Sequence, residues 1–466
     1  MALNPDRLLP VEPTTRSIAR RLFAEVETLP IVSPHGHTEP SWYALNERFP
    51  DPAALFVVPD HYIFRMLYSL GVPLEALGVP TVDGSSVETD PRRIWRLFAE
   101  HYRLFRGTPS RLWFEHSLQS VFGIEDRLSP QTADAIYDRI ADALQTDAMR
   151  PRALYERFNI EAIATTDSAL DDLAHHDAVR ASGWRGRVLP TYRPDAVVDP
   201  DRPGFAEALQ RFFALTGEAQ TFSGYLAAHR TRRAYFKARG ATATDHGHPS
   251  ARTANLTAAE CELLFSKMLA GTGSAAENEL FRAQMLTEMA RMSLEDGLVM
   301  QIHAGSSRNH NSKLFQRFGF DKGADIPQRT DYVGALRPLL DVVGNEPGLT
   351  VILFTLDETV YSRELAPLAG HYPALRLGPP WWFHDSAEGM MRFRESVTET
   401  AGFYNTVGFN DDTRAFLSIP ARHDVARRVD CAFLARLVAD GRLDEDEARE
   451  VAVDLTYRLA KDAYKL

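Results

Sequence analysis

The chain has 466 residues, 44% of them hydrophobic, enough apolar surface for one large core or two medium ones. Its net charge of −11 argues against a nucleic-acid surface, although arginines gathered in a cleft can invert the potential for an anionic substrate. No run of roughly 18 apolar residues occurs to span a membrane. The start "MALNPDRLLPVEPTTRS" lacks a secretory signal's charged lead and apolar stretch, and two distant cysteines, Cys261 and Cys431, fit a reducing cytoplasm.

Along the chain, short apolar runs alternate with helical stretches, with no repeats or low-complexity tracts. The runs are "IVSPHGH" at 31–37, "IEAIATTD" at 160–167, "RVLPTYRPD" at 187–195, "ATATDHGH" at 241–248, "LVMQIHAG" at 298–305, "TVILFTLD" at 350–357, "ALRLGPPWWF" at 374–383 and "FYNTVGFNDD" at 403–412. Between them, "RTDYVGALRPLLDVVG" and "EGMMRFRESVTETAG" carry helical spacing and end at Gly. Alternating strand and helix predicts parallel strands, and eight of them predict a distorted (β/α)8 TIM barrel; an open doubly wound sheet is the alternative. One gap breaks the rhythm. Residues 38–157 hold no good strand but several amphipathic stretches, such as "DHYIFRMLYSLG" and "PRRIWRLFAEHYRLF". The expected division is therefore 1–37, an N-terminal segment with the first strand; 38–157, a helical insertion over the barrel mouth; and 158–466, the remaining barrel with C-terminal helices packed on its wall.

Barrel active sites gather at the C-terminal ends of the strands. There stand His35, His37, Asp167, Arg193, Asp245, His246, His248, His303, Asp357, Trp381, Trp382 and Asp412. Side chains at i and i+2 of a strand share a face, so His35 and His37 can aim two imidazoles at one metal ion, with Gly36 keeping the other face clear. Two hydrogen-bonded core histidines are the plainer reading of H-x-H alone. Asp412, ending the last strand, would lie beside the first and complete a His-His-Asp set with room for water or substrate oxygens. Alternation turns Asp412 inward and Asp411 outward; a slip of one residue would exchange them. The second H-x-H, in "DHGHPS", has more polar flanks and reads as a loop. His303 is a candidate ligand or donor to substrate. Arg193 and Arg414 suit bidentate binding of a carboxylate, which lysine cannot offer. His61 and Tyr62 could move protons or touch sugar hydroxyls. Trp381 and Trp382 could stack on a sugar ring, although burial is the commoner fate of tryptophan.

Taken together and in order, "SPHGHTEP", "DHYIFRMLY", "TYRPDA", "QIHAG", "PPWWFHD" and "GFNDDTRAFLS" resemble the uronate (glucuronate) isomerase family, a divergent branch of the amidohydrolase superfamily, over nearly the whole chain. The resemblance implies a distorted barrel with a helical insertion after strand one. It implies reversible isomerisation of D-glucuronate to D-fructuronate and of D-galacturonate to D-tagaturonate. It makes His35, His37 and Asp412 ligands of a mononuclear zinc or other divalent ion, and Arg193, Arg414, His61, Tyr62 and His303 the substrate or catalytic residues. It also implies a homo-oligomer. A two-metal hydrolytic centre is not expected, because "FTLDE" lacks a histidine and "TDHGH" a bridging lysine.

For an enediol route, Asp412 and Tyr62 are the candidates for proton handling, with His61 behind them. Two other readings stand beside the isomerase. One is a mononuclear zinc hydrolase of an amide or lactone, which would not need two arginines. The other is a non-catalytic sugar-acid binding barrel.

Overall fold

The computed structural model describes residues 3–466. Its strands are β1 Ile31–Ser33, β2 Ile160–Ala164, β3 Asp167–Ser168, β4 Arg187–Leu189, β5 Tyr192–Arg193, β6 Ala243–His246, β7 Val299–Ala304, β8 Ser306–Ser307, β9 Ile326–Pro327, β10 Val351–Thr355 and β11 Leu375–Leu377. One sheet runs β1-β2-β4 and a second β11-β10-β7-β6-β5-β3, every pair parallel. The ladder passes from one sheet to the other without a gap. Thr165 N–H donates to Leu189 O at 2.9 Å and Asp167 N–H to Thr191 O at 3.0 Å. So β2 with β3, and β4 with β5, each act as one broken strand.

The predicted seventh and eighth runs are shorter than expected. Only Leu375–Leu377 of the seventh is strand, because Pro379 and Pro380 withhold the ladder donors. The eighth is reduced to a parallel bridge between Leu377 and Thr406. Beyond it, His37 N–H donates to Thr413 O at 3.1 Å, so the end of the chain's last run meets the end of β1. The α/β arrangement is consistent with a distorted TIM barrel.

Alternation sorts the strand residues into two cores. Met300, Ile302 and Ala304 of β7, with Val351 and Leu353 of β10, pack outward against the helices. Ala243, Val299, Ile352 and Phe354 face the other way, in an inner cluster with Leu356, Val407 and Tyr464. Tyr464 belongs to the C-terminal helix Leu459–Tyr464, and its hydroxyl donates to Gln301 Oε1 at 2.8 Å. The chain end thus enters the inner cluster. The helices Ile419–Ala439 and Glu445–Val453 pack with α1 (Pro13–Val26) in a separate apolar cluster.

Between β1 and β2 lie α2 Pro40–Leu45, α3 Pro52–Phe56, α4 His61–Tyr68, α5 Pro91–His101, α6 Pro109–Phe122, α7 Ala133–Leu144 and α8 Pro151–Arg157. Their starts are legible: Asp51, Asp60, Asp90 and Thr108 cap α3 to α6 with side-chain oxygens. Their apolar stripes share one core with Ile31, Ile160 and Val188 of the first strands.

Candidate functional site

The ends of these strands open into a cavity of about 950 Å³. His35, His37, His61, Tyr62, Arg193, His303, Trp381, Trp382, Asp412 and Arg414 all line it, as does Asp167. They arrive from several different elements. His35 and His37 follow β1, Arg193 ends β5, His303 lies on the inner face of β7, and α4 brings His61 and Tyr62. Asp60 fixes the start of α4 by accepting from Tyr62 N–H at 2.9 Å, which orients both side chains.

Three of these groups form a compact donor set. One ligand atom each from His35, His37 and Asp412 lie within 4.8 Å of one another, the only such trio among the described residues. Asp412 Oδ1 stands 3.5 Å from His35 Nε2 and 3.1 Å from His37 Nε2. This oxygen is buried and makes no hydrogen bond among the described residues. A buried carboxylate oxygen without a partner, facing two imidazole nitrogens, fits a divalent cation. Asp412 has φ 40°, in the left-handed region that Asp tolerates better than most residues. Its neighbours hold it there: Thr413 O accepts from His37 N–H, and Asp411 O accepts from Arg422 Nη1 at 3.2 Å.

Asp411 points away from the cavity, toward the helix Ile419–Ala439, where it is buried with its Oδ2 3.1 Å from His423 Nε2. One expectation around this set needs correction: Gly36 is not needed for space, since a Cβ there would meet nothing closer than 3.6 Å.

The second H-x-H also departs from its reading as a loop. Asp245 and His246 are the last residues of β6 and fully buried. Asp245 points inward, with Oδ1 2.8 Å from His303 Nε2 and Oδ2 3.4 Å from Arg193 Nη1. His246 and His248 do not line the cavity; His246 Nε2 lies 3.0 Å from Thr244 Oγ1. Gly247 explains why glycine separates them. A Cβ there would fall 2.5 Å from Arg193 Nη2 and 2.7 Å from Asp195 Oδ2. Asp357 takes no part, accepting instead from Thr330 and Thr359 N–H.

Three of the cavity's arginines are held by acids that sequence reasoning did not single out. Arg193 Nε donates to Asp195 Oδ2 at 2.8 Å, Arg414 Nη2 to Asp321 Oδ2 at 2.9 Å, and Arg308 Nη1 to Asp325 Oδ2 at 3.1 Å. Asp195 had a signal, two residues beyond Arg193, where Pro194 ends the strand and the short helix Asp195–Val198 begins. Asp321, Asp325 and Arg308 lie in the excursion after β7, where no periodicity marks them. Burial alone would raise the Asp195 carboxyl, but the Arg193 charge outweighs it and holds it well below the usual range. Burial, with Arg414 adding to it, pushes the His61 imidazole down to about 3, so His61 works as a neutral ring. Tyr62 Oη donates to buried Asp385, and burial together with that carboxylate raises the phenol well above its ordinary value. The two tryptophans sit against these groups, Trp381 on His303 with ring centroids 4.9 Å apart and Trp382 on His61 at 5.0 Å.

Comparison with known proteins agrees with this picture over the full length. The glucuronate isomerase family model matches residues 13–464. Curated uronate isomerases of Brucella suis biovar 1 (strain 1330) and Rhizobium meliloti (strain 1021) are each 68% identical, across 100% of this chain and 100% and 99% of their own. The crystal structure of glucuronate isomerase from Caulobacter crescentus superposes with a TM-score of 0.98 at 61% identity, covering 100% of this chain and 97% of that one. Uronate isomerase from Thermotoga maritima gives 0.92 at 28% identity, with both chains fully covered.

Proposed function

The chain belongs to the glucuronate isomerase family and is an aldose–ketose isomerase of uronates; from that premise we propose that it interconverts D-glucuronate with D-fructuronate and D-galacturonate with D-tagaturonate by proton transfer through an enediol, with Asp412 at the centre of the site. The observation that carries this reading is the meeting, in one cavity, of a three-group cation site with two arginines and an adjacent His-Tyr pair. A cation held by His35, His37 and Asp412, for which we propose zinc, supplies Lewis-acid stabilisation of a developing oxyanion when bound.

The chain's own residues divide the remaining work. Arg193 and Arg414 offer guanidinium forks to the uronate carboxylate and the oxygens beside the reacting carbons. Arg193 is fixed by Asp195 and Asp245, so little is lost in ordering it when substrate arrives. Neutral His61 can donate from one ring nitrogen and accept at the other, which suits a substrate hydroxyl. His303, set against Asp245, is placed for a second hydroxyl. Asp412 takes the proton from carbon, and Tyr62 serves the oxygens. Trp381 and Trp382 wall the cavity and limit water around the intermediate. Buried free Cys261 and Cys431 support a reducing compartment, and none of the described helices is long and apolar enough to cross a membrane.

The test follows deuterium placed at C2 of D-glucuronate. Proton transfer predicts that part of the label reaches C1 and part exchanges with solvent. Complete transfer to C1, with no exchange even when turnover is slowed by cold, contradicts the enediol and favours a hydride shift.

A further inference from the structure

We propose that Asp385 is a positioning residue for the isomerase reaction, turning the Tyr62 hydroxyl hydrogen into the protein so that the Tyr62 oxygen meets substrate as a hydrogen-bond acceptor. This rests on the isomerase reading above and assigns a direction to one of its proton transfers. Tyr62 lines the cavity, whereas Asp385, at the end of "PPWWFHD", lies behind it. Tyr62 Oη donates to Asp385 Oδ2 at 2.9 Å, and Arg422 Nη1 donates to the same oxygen at 2.7 Å. All three residues are buried, Arg422 to 3% exposure, with its guanidinium 3.7 Å above the Trp113 ring.

The chemistry of this trio fixes the hydrogen's direction. A buried arginine has no neutral form to retreat to, so at rest the carboxylate that accepts from it serves as its counter-ion. An ionised carboxylate only accepts. The single phenolic hydrogen is therefore committed to Asp385, and what Tyr62 Oη has left for the cavity is lone-pair density. Asp385 Oδ1 has no hydrogen-bond partner among the described residues, so the carboxylate retains a free acceptor site.

Aldose–ketose isomerisation moves a proton between two oxygens as well as between two carbons. The hydroxyl that becomes the carbonyl must lose its proton, and the arrangement gives it a path. Its O–H bond breaks as a new O–H bond forms at Tyr62 Oη. The original Tyr62 O–H bond breaks in the same movement, and its proton bonds to Asp385 Oδ2. When the oxygen on the neighbouring carbon takes its proton from Tyr62, the Asp385 proton returns to Tyr62. Nothing is consumed, and Asp412 is left free for the carbon-bound proton.

The experiment compares uronate turnover by wild type, Tyr62→Phe, Asp385→Asn, the double variant of these two, and Asp385→Asn/Arg422→Met, which removes the charge pair as a unit. Asp385→Asn should lower kcat roughly 100-fold with KM within about 3-fold, the range of a lost proton-transfer partner. Tyr62→Phe should behave alike, and the double variant should lose little more than the worse single change, because the two act as one unit. Solvent exchange of C2 deuterium should rise relative to isomerisation in Asp385→Asn, since the carbon step survives while the oxygen step is slowed; a purely structural role would not move that ratio. A folded Asp385→Asn or Asp385→Asn/Arg422→Met with near wild-type kcat, or losses that multiply, would overturn the proposal. So would failure of both Asp385 variants to fold, which makes Asp385 structural. If wild type itself turns over no uronate, it is the isomerase reading that fails.

Discussion

Gly247 holds the tightest constraint in the cavity wall. With a Cβ 2.5 Å from Arg193 Nη2, Gly247→Ala must push the guanidinium aside. Misplacement of a substrate-binding group by about 1 Å can cost on the order of 100-fold, so kcat/KM should fall by roughly 10- to 100-fold. Steady-state kinetics beside a melting curve checks this; an unchanged kcat/KM shows that Arg193 does not grip substrate. His37→Asn should lower bound divalent metal from about one per chain to near zero by elemental analysis, with little change in circular dichroism, because one of the three groups that would hold the cation is removed. Undiminished metal content would place the cation elsewhere. At this scale the candidate site was largely legible, because "HGH", "YR" and "IHA" each follow an apolar run and so declare themselves strand ends. Asp245 was harder. Its strand is only Ala243–His246, and "TDHGHPS" is so polar that alternation is lost against the flanks.

Between elements, the buried ion pairs carry the sharpest expectations. Arg394, on the helix Ala387–Ala401, donates from Nε to Asp430 Oδ1 of the helix Ile419–Ala439 at 2.6 Å, with both side chains under 10% exposed. Arg394→Met leaves Asp430 buried and unpaired, which should cost about 3–5 kcal/mol. Denaturant unfolding would show it as a lower midpoint, while KM stays unchanged because neither residue reaches the cavity. A loss under about 1 kcal/mol would mean that water reaches the pair and screens it. The helices were readable because their caps are chemical: Asp60, Asp90 and Thr108 at N-termini, Gly123 and Gly402 at C-termini. Strand lengths were not. Where Pro379, Pro380 and the turn at Asp412 interrupt the ladder, a strand survives as three residues or a single bridge, and composition alone does not reveal which.

For the whole molecule, stability should carry a signature of Asp167. Burial pushes its carboxyl from 3.8 up to about 7, against the opposing bonds from Thr165 and Thr191. The folded state therefore keeps a proton that the unfolded chain gives up near 3.8. Asp167 stabilises the fold fully below that pH, and its contribution is lost as pH rises through about 7. Asp167→Asn cannot titrate, so its stability relative to wild type should rise between about pH 4 and pH 8. A constant difference across that range would mean that Asp167 ionises as an ordinary carboxylate.

The central claim is that the cavity isomerises uronates through Asp412. Its most direct measurement is turnover of D-glucuronate and D-galacturonate by purified protein, run beside Asp412→Asn with the metal content of both determined. The account predicts conversion of at least one uronate by wild type and a loss on the order of 1000-fold or more in the variant, because ligand and base are removed together. Wild type that carries its metal yet converts neither uronate, or Asp412→Asn that retains most of the activity, would contradict it.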